Sequence, residues 1–487
     1  MPNKPICLDP GLCGPTDGTD IINNTFEGLF RVIEKDIVVP GIAKSYTCSN
    51  NGKEYIFTFR NNAYWSDGKK VLPKDFEFAW KRVLNSNTPS PRKNLFLPIK
   101  NAKKIIQNQM CSSFLGIKAI DNCRLKLELE YPIDYLCSLL ALTPFMPVRE
   151  DIVDNEGLWA KNPSTAISNG PFYLSSYSNN NISITNNKFY HNNSKTNINK
   201  VLVKFINNTD TAYIDYVSNN TDIIDNVPFN EYNKLKRSNE FISVPYYGIY
   251  FYSFNLTTDC LKDKKVRQAI SKAIDRKVIT QKIRRSNEIP ANEYIHINFL
   301  KSINKNHNKN LYNLNEAKKL LLDAGYNSKN PFPEIEILYN SENNNKIIAE
   351  AIQEMLKKNL NINIKLTGQE WSTFANKRKN LTYNGLAKNS HMYEYFDPTS
   401  FLQIFKPNNE SYTGYKNNIY NKILNKILFS KNEEKENLIL HSINILEDDM
   451  PIIPLFYYSS SSLIKNYIKN YYINSIGYKY LGAINID

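Results

Sequence analysis

The chain has 487 residues, room for roughly two to four domains, and its 41% hydrophobic content excludes wholesale disorder. Lys plus Arg total 61 against 47 Asp plus Glu, and the resulting +14 suits nucleic acid, an anionic membrane surface, acidic ligands or plain solubility. The basic residues are scattered and lie in mixed-sign stretches such as Lys431-Asn-Glu-Glu-Lys-Glu436, which argues against a nucleic-acid face, and no apolar window is long enough for a membrane-spanning helix.

Met1-Pro-Asn-Lys4 opens without an apolar signal segment, as either a cytosolic protein or a mature form with an added start Met does. Glu54-Tyr-Ile-Phe-Thr-Phe-Arg60 reads as a strand, with turn chemistry following at Ser66-Asp67-Gly68. Asp75 is placed to cap a helix beginning at Pro73, with Phe76, Ala79, Trp80 and Val83 on one face. A second helix is expected over Lys264 to Val278, where Val266, Ala269, Ile270, Ala273 and Ile274 keep helical spacing. Asn313 and Glu316 form a capping box for a third, which Gly325 stops.

From 334 to 367 the period changes twice. Ile335, Ile337 and Tyr339 alternate, Ile347, Ile348, Ala351, Ile352, Met355 and Leu356 form a helical stripe, and Ile362, Ile364 and Leu366 alternate again. Strand, helix and strand with short links make a βαβ unit and hence a parallel sheet. The fold class is therefore α/β.

Signals for catalysis are absent. There is no G-x-G-x-x-G, no phosphate-cradling G-x-x-x-x-G-K-[ST] and no G-x-S-x-G. Ser90-x-x-Lys93 and Ser302-x-x-Lys305 lack a K-T-G companion, and Asp448-Asp449 reads as a solvated acidic pair. The seven cysteines (Cys7, Cys13, Cys48, Cys111, Cys123, Cys137, Cys260) include no C-x-x-C, and the five histidines no H-E-x-x-H, so neither a metal nor a cofactor is expected.

A series of segments, in order along the chain, resembles the peptide-binding proteins of ABC importers, the oligopeptide-binding family of extracytoplasmic solute receptors. They are Leu8-Asp9-Pro10 with Phe26-Glu27-Gly28-Leu29, Pro40-Gly-Ile-Ala43, Phe59-Arg60 through Trp65-Ser-Asp-Gly68 to Asp75-Phe76, and Ser168-Asn-Gly170-Pro-Phe-Tyr173. Asp259 through Val266-Arg267 to Asp275-Arg276, Gln369-Glu370-Trp371, Glu394-Tyr-Phe-Asp397-Pro398 and Pro451-Ile-Ile-Pro454-Leu-Phe-Tyr-Tyr458 complete it. The resemblance implies a two-lobed periplasmic-binding-protein fold (class II, cluster C) that encloses its ligand by closing about a hinge. By the same analogy lobe I is 1–26, 167–252 and 455–487, a peripheral domain packed on it is 27–166, and lobe II is 253–454.

The resemblance also implies site residues. Glu394 matches the carboxylate that pairs with the ligand's ammonium, one methylene longer than the usual Asp. Trp371 matches an aromatic lining a side-chain pocket, and Arg378 a basic residue near the ligand's C-terminal end. One extra residue between Tyr383 and Pro398 puts a second family Arg at Ala387 or Lys388, with Asn389, Ser390, His391 and Met392 as the strand meeting the ligand backbone. Cys13, Gly14 and Pro15 are expected to give backbone contacts from the first lobe, and Tyr250 and Phe251 to line the same cleft. Tyr457 and Tyr458 are expected as pocket walls or as hinge packing. Gly248 stands where one half of a family disulfide belongs, so that bridge is not expected. The implied partners are a short peptide and the permease subunits of a transporter, met outside the cytoplasmic membrane through the permease or a lipid anchor, by a monomer. A non-peptide ligand (metal chelate, haem, glutathione or sugar) and a surface adhesin or scaffold that has lost its ligand stand as alternatives.

Overall fold

The computed structural model describes residues 1–14, 18–154, 156–228, 230–284, 287–302, 310–341, 345–407 and 411–487. It divides into two compact units, Met1–Val244 with Ser460–Asp487, and Pro245–Ser459. The boundaries fall inside two long strands, Phe241–Phe254 and Ile452–Ile464, along which the chain passes from one unit to the other.

In the first unit, strands Ala43–Ser49, Glu54–Phe59, Arg124–Glu128 and Ile117–Ala119 form a four-stranded antiparallel sheet in that order. The helix Pro73–Leu84 begins where expected, and Phe76, Ala79, Trp80 and Val83 are all buried. Asp75 closes its first turn by accepting the Leu72 N–H (2.9 Å) and also takes the buried Trp65 Nε1–H (3.1 Å). The Ser66-Asp67-Gly68 turn is present, with Gly68 at φ +83° and its N–H on the Trp65 carbonyl (2.9 Å). A three-stranded sheet of Phe172–Tyr177, Asn181–Asn186 and Lys200–Lys204 follows.

The second unit contains the predicted βαβ: strand Ile335–Asn340, helix Asn345–Leu360 and strand Ile364–Gln369, with the two strands paired in parallel. Strand Gly385–Met392 pairs parallel with the first of these and antiparallel with Phe241–Phe254, and Ile289–Pro290 pairs antiparallel with Phe456 and Tyr457 of Ile452–Ile464. Two expected helices differ in detail. The helix over 264–278 is broken into Lys264–Lys272 and Arg276–Val278, because the Asp275 carboxylate takes the N–H groups of Lys277 (2.9 Å) and Val278 (3.2 Å) and starts a new turn. The Asn313 capping box is one-sided. Asn313 Oδ1 accepts the Glu316 N–H (3.1 Å), but the Asn313 N–H is taken by the Lys272 carbonyl (2.9 Å), so Glu316 pairs with Lys272 Nζ instead (3.0 Å).

Candidate functional site

The antiparallel pair Phe241–Phe254 and Gly385–Met392 organises the second unit, and its register decides which side chains meet. Directly opposed residues share a face and successive residues alternate. The pairs Gly248–Met392, Tyr250–Ser390 and Tyr252–Lys388 therefore lie on one face, and Ile249–His391, Phe251–Asn389 and Ser253–Ala387 on the other.

The first face is aromatic with charge at its margin. The Tyr250 ring stacks on Phe456 (centroids 4.7 Å) and sits 6.4 Å from the Tyr458 ring. Its hydroxyl donates to Asn345 Oδ1 at 3.1 Å, and Lys388 Nζ lies 5.4 Å from the ring centroid. Burial raises the pKa of both Tyr250 and Tyr458, keeping the phenols neutral donors. Arg284 approaches the Phe456 ring at 5.6 Å and pairs with the buried Glu288 at 2.6 Å. Burial works against the Arg284 charge, but Glu288 outweighs it and holds the guanidinium protonated.

The opposite face is core. Phe251 is fully buried against Phe401 (6.1 Å), and His391 lies 5.7 Å from the same ring. The Tyr457 hydroxyl is 2.8 Å and 2.7 Å from the carbonyls of Glu293 and Ile295. Of the two residues expected to line the cleft, only Tyr250 shares a face with Ser390 and Tyr458, because neighbours on a strand point oppositely, and the Phe251 side chain is turned into the core. The same alternation parts Tyr457 from Tyr458.

The backbone edge of this strand is the more telling feature. The Asn255 N–H donates to the Gly385 carbonyl (2.9 Å) and the Tyr393 N–H to the Tyr247 carbonyl (2.7 Å). Odd-numbered residues of Gly385–Met392 therefore turn their peptide groups toward Phe241–Phe254, while Lys388, Ser390 and Met392 turn theirs the other way. On that side the parallel partner covers only Gly385–Ala387. Among the described residues no strand pairs with the rest of the edge, which is a template for an extended backbone. Arg378 guards its start, with Nη1 2.9 Å from Asn389 Oδ1 and 3.4 Å from the Lys388 carbonyl, and its guanidinium between the Phe374 and Tyr412 rings.

Glu394 follows directly on this edge. It is half-buried, and its N–H donates to Ser400 Oγ at 3.0 Å. The loop that carries it is fixed by Asp397, whose Oδ1 accepts the Thr399 N–H (2.9 Å) and whose Oδ2 pairs with the largely buried Lys435 (2.8 Å). Met392 covers Gly248, where a Cβ would overlap it. Trp371 stands apart, half exposed at the start of helix Trp371–Lys379, 5.8 Å from Phe374. Glu370 caps that helix, and the hydrogen bonds it accepts from Ser372 and Thr373 hold its pKa down to about 2. In the first unit Cys13 is buried and Gly14 is unhindered, whereas Pro15 lies outside the described residues.

Sequence reasoning missed Phe456, Tyr252, Asn345 and the Arg284–Glu288 pair. Period-two counting from Tyr458 and Tyr250 finds the first two. Asn345 and Arg284 carry no local signal, because distant chain brings them to the sheet.

With this geometry in view, the comparisons define the class. Residues 38–413 match the family of bacterial extracellular solute-binding proteins, family 5. The chain belongs to that family. It is 31% identical over 484 residues to the periplasmic murein peptide-binding protein MppA of Escherichia coli, covering 97% of this chain and 89% of that one. It is 28% identical to the oligopeptide-binding protein OppA of Bacillus subtilis, over 94% and 86% of the two chains. Among solved structures, an oligopeptide-binding protein of Borrelia burgdorferi superposes with a TM-score of 0.86 at 31% identity, covering 100% of this chain and 99% of that one. The Haemophilus influenzae OppA complex with RPPGFSPFR superposes at 0.82 with 26% identity, over 100% and 97%. The α/β periplasmic-binding-protein fold expected from the sequence is the fold found.

Proposed function

We propose that this protein captures short peptides outside the cytoplasmic membrane and hands them to the permease of an ABC importer, breaking no bond. The observation that carries the reading is the strand edge at Ser390 and Met392, which has no strand beside it and leads straight to the Glu394 carboxylate. An extended peptide added there is held through its main chain irrespective of sequence, and Glu394 partners its ammonium, since a buried charge without a partner costs several kcal/mol. Tyr250, Tyr458 and Lys388 flank the peptide, and Arg378 stands at the other end of the edge, suited to a C-terminal carboxylate. The relatives named for murein peptides and oligopeptides support the same ligand class. In this reading 1–26, 167–252 and 455–487 form one ligand-enclosing lobe, 27–166 its peripheral domain and 253–454 the other lobe.

Native mass spectrometry of freshly purified protein tests the ligand class. A ladder of bound masses that sequences as short peptides is expected. A single non-peptide mass, or an empty protein whose melting temperature ignores a peptide library, overturns the reading. Glu394→Gln is expected to weaken binding of free peptides by about 1.5–3 kcal/mol, the scale of a charge-assisted hydrogen bond. It leaves N-acetylated peptides unaffected.

A further inference from the structure

The sheet face that carries Tyr250 and Ser390 also carries an ion pair that main-chain capture of a peptide does not use. Arg284 closes a π-helical turn, Ile279–Arg284, whose first residues Ile279 and Thr280 are fully buried. Such turns are rare and are frequent at functional sites. The guanidinium gives Nε and Nη2 to the two oxygens of Glu288, at 2.9 and 2.6 Å. The Glu288 side chain is 4% exposed against 25% for Arg284, so the pair turns its cationic half outward. Nη1 has no partner among the described residues, and with the second hydrogen of Nη2 it makes another fork of the kind that takes a carboxylate.

Its neighbours place this pair beside Ser390. Arg284 lies 5.6 Å from the centroid of Phe456, which stacks on Tyr250 and sits 5.6 Å from the Tyr458 ring. The Tyr458 hydroxyl in turn bonds the Ser390 side chain and feels the charges of Glu288 and Arg284.

The register of a bound peptide decides which of its side chains arrives here, a step that rests on the reading above of Ser390, Met392 and Glu394. An amino end at Glu394 and a carboxyl end toward Arg378 make the peptide antiparallel to Gly385–Met392. In an antiparallel ladder, opposed residues share a face and successive ones alternate. With the first peptide residue opposed to Met392, the third is opposed to Ser390. The side chains of both enter the Tyr250 face, and that of the second turns away. The first meets Met392 where it covers Gly248, and the third meets Tyr458 and Arg284.

We propose that Arg284, oriented by Glu288, is a specificity-determining residue of the peptide site and gives it a preference for Asp or Glu at the third position. The preference is laid over main-chain binding, which accepts any side chain. A basic side chain gains nothing there, because the carboxylate is the buried half of the pair.

Isothermal titration of the native protein with Ala-Ala-Glu-Ala and Ala-Ala-Gln-Ala tests this. The glutamate peptide is expected to bind about tenfold tighter, the low end of a charge-assisted hydrogen bond, and Ala-Glu-Ala-Ala and Ala-Gln-Ala-Ala are expected to bind alike. The third-position ratio is expected to shrink with added salt, to be partly kept in Arg284→Lys, and to fall to near one when Arg284→Met is combined with Glu288→Met, which removes the pair without stranding a buried charge. Equal affinity for the first two peptides, a contrast at the second position instead of the third, or a third-position contrast that survives in the double variant would each overturn the inference and leave peptide capture standing. Failure of all four peptides to bind would overturn both.

Discussion

Asp9 shows how a recognisable sequence feature acts physically. It is fully buried, and its carboxylate accepts hydrogen bonds from Arg82 Nη1 and Nη2 (3.1 and 2.8 Å), the Trp159 indole N–H (2.8 Å) and the Gly11 N–H (2.9 Å). Removing one member of such a buried pair leaves the other charge uncompensated. Asp9→Asn is expected to cost about 3–5 kcal/mol, read as a lowered unfolding free energy in urea. Arg276 belongs to the same class of residue. Buried to 2% exposure, its guanidinium is held by four carbonyls and the Ser271 hydroxyl, and burial pushes its pKa down to about 10. Both residues were legible in the sequence as parts of segments resembling a family, but only their contacts give the reason: they tie distant chain together and touch no ligand edge.

Among the elements, strand Gly385–Met392 is the edge at which the proposed peptide adds, and Gly385 within it and Gly248 opposite it separate packing from strain. Gly385 sits at φ +148°, and a Cβ there would collide with the backbone of Glu336 in the paired strand. Gly385→Ala is expected to destabilise by about 1–3 kcal/mol, the scale of local backbone strain, and to broaden the unfolding transition's onset. A Cβ on Gly248 would meet the thioether end of Met392, which is free to swing. Gly248→Ala is therefore expected to leave the melting temperature nearly unchanged while moving Met392 and altering peptide affinity, a split that isothermal titration and thermal melts measure together. The βαβ unit was legible because its periods are local. The break at Asp275 was not, because a single carboxylate competing for two N–H groups overrides a regular apolar stripe.

For the whole molecule, buried acids set the response to pH. Burial opposes the Glu27 carboxylate, but His191 and Arg31 outweigh it and hold its pKa down; Lys479 does the same for Asp225. At the surface, Arg149 pulls Asp151 down to about 2. A folded-state pKa below the unfolded value near ~4 gives stability that is complete above that pH and is lost as pH falls through the folded pKa. The melting temperature is expected to be level from about pH 7 to 5 and to fall below about pH 4, with a shallower fall in Glu27→Gln. Thermal melts across that range check it. Ligand acts in the opposite sense: peptide at about 100 times its Kd is expected to add about 2.7 kcal/mol, visible as a saturable rise in melting temperature that Glu394→Gln displaces to higher peptide concentration.

What the amino-acid order determined by itself was periodic and local: the strand at Glu54–Phe59, the helix from Pro73, the parallel βαβ unit, and a succession of segments whose order marks the family. What the tertiary structure alone decided was phase and edge. Tyr250 meets Ser390 across 140 residues of chain, and a shift of one residue in that register would exchange Tyr250 for Phe251 on the aromatic face. Nothing within either segment specifies the shift. It is settled by burying Phe251 against Phe401, a contact that exists only once distant chain has come together.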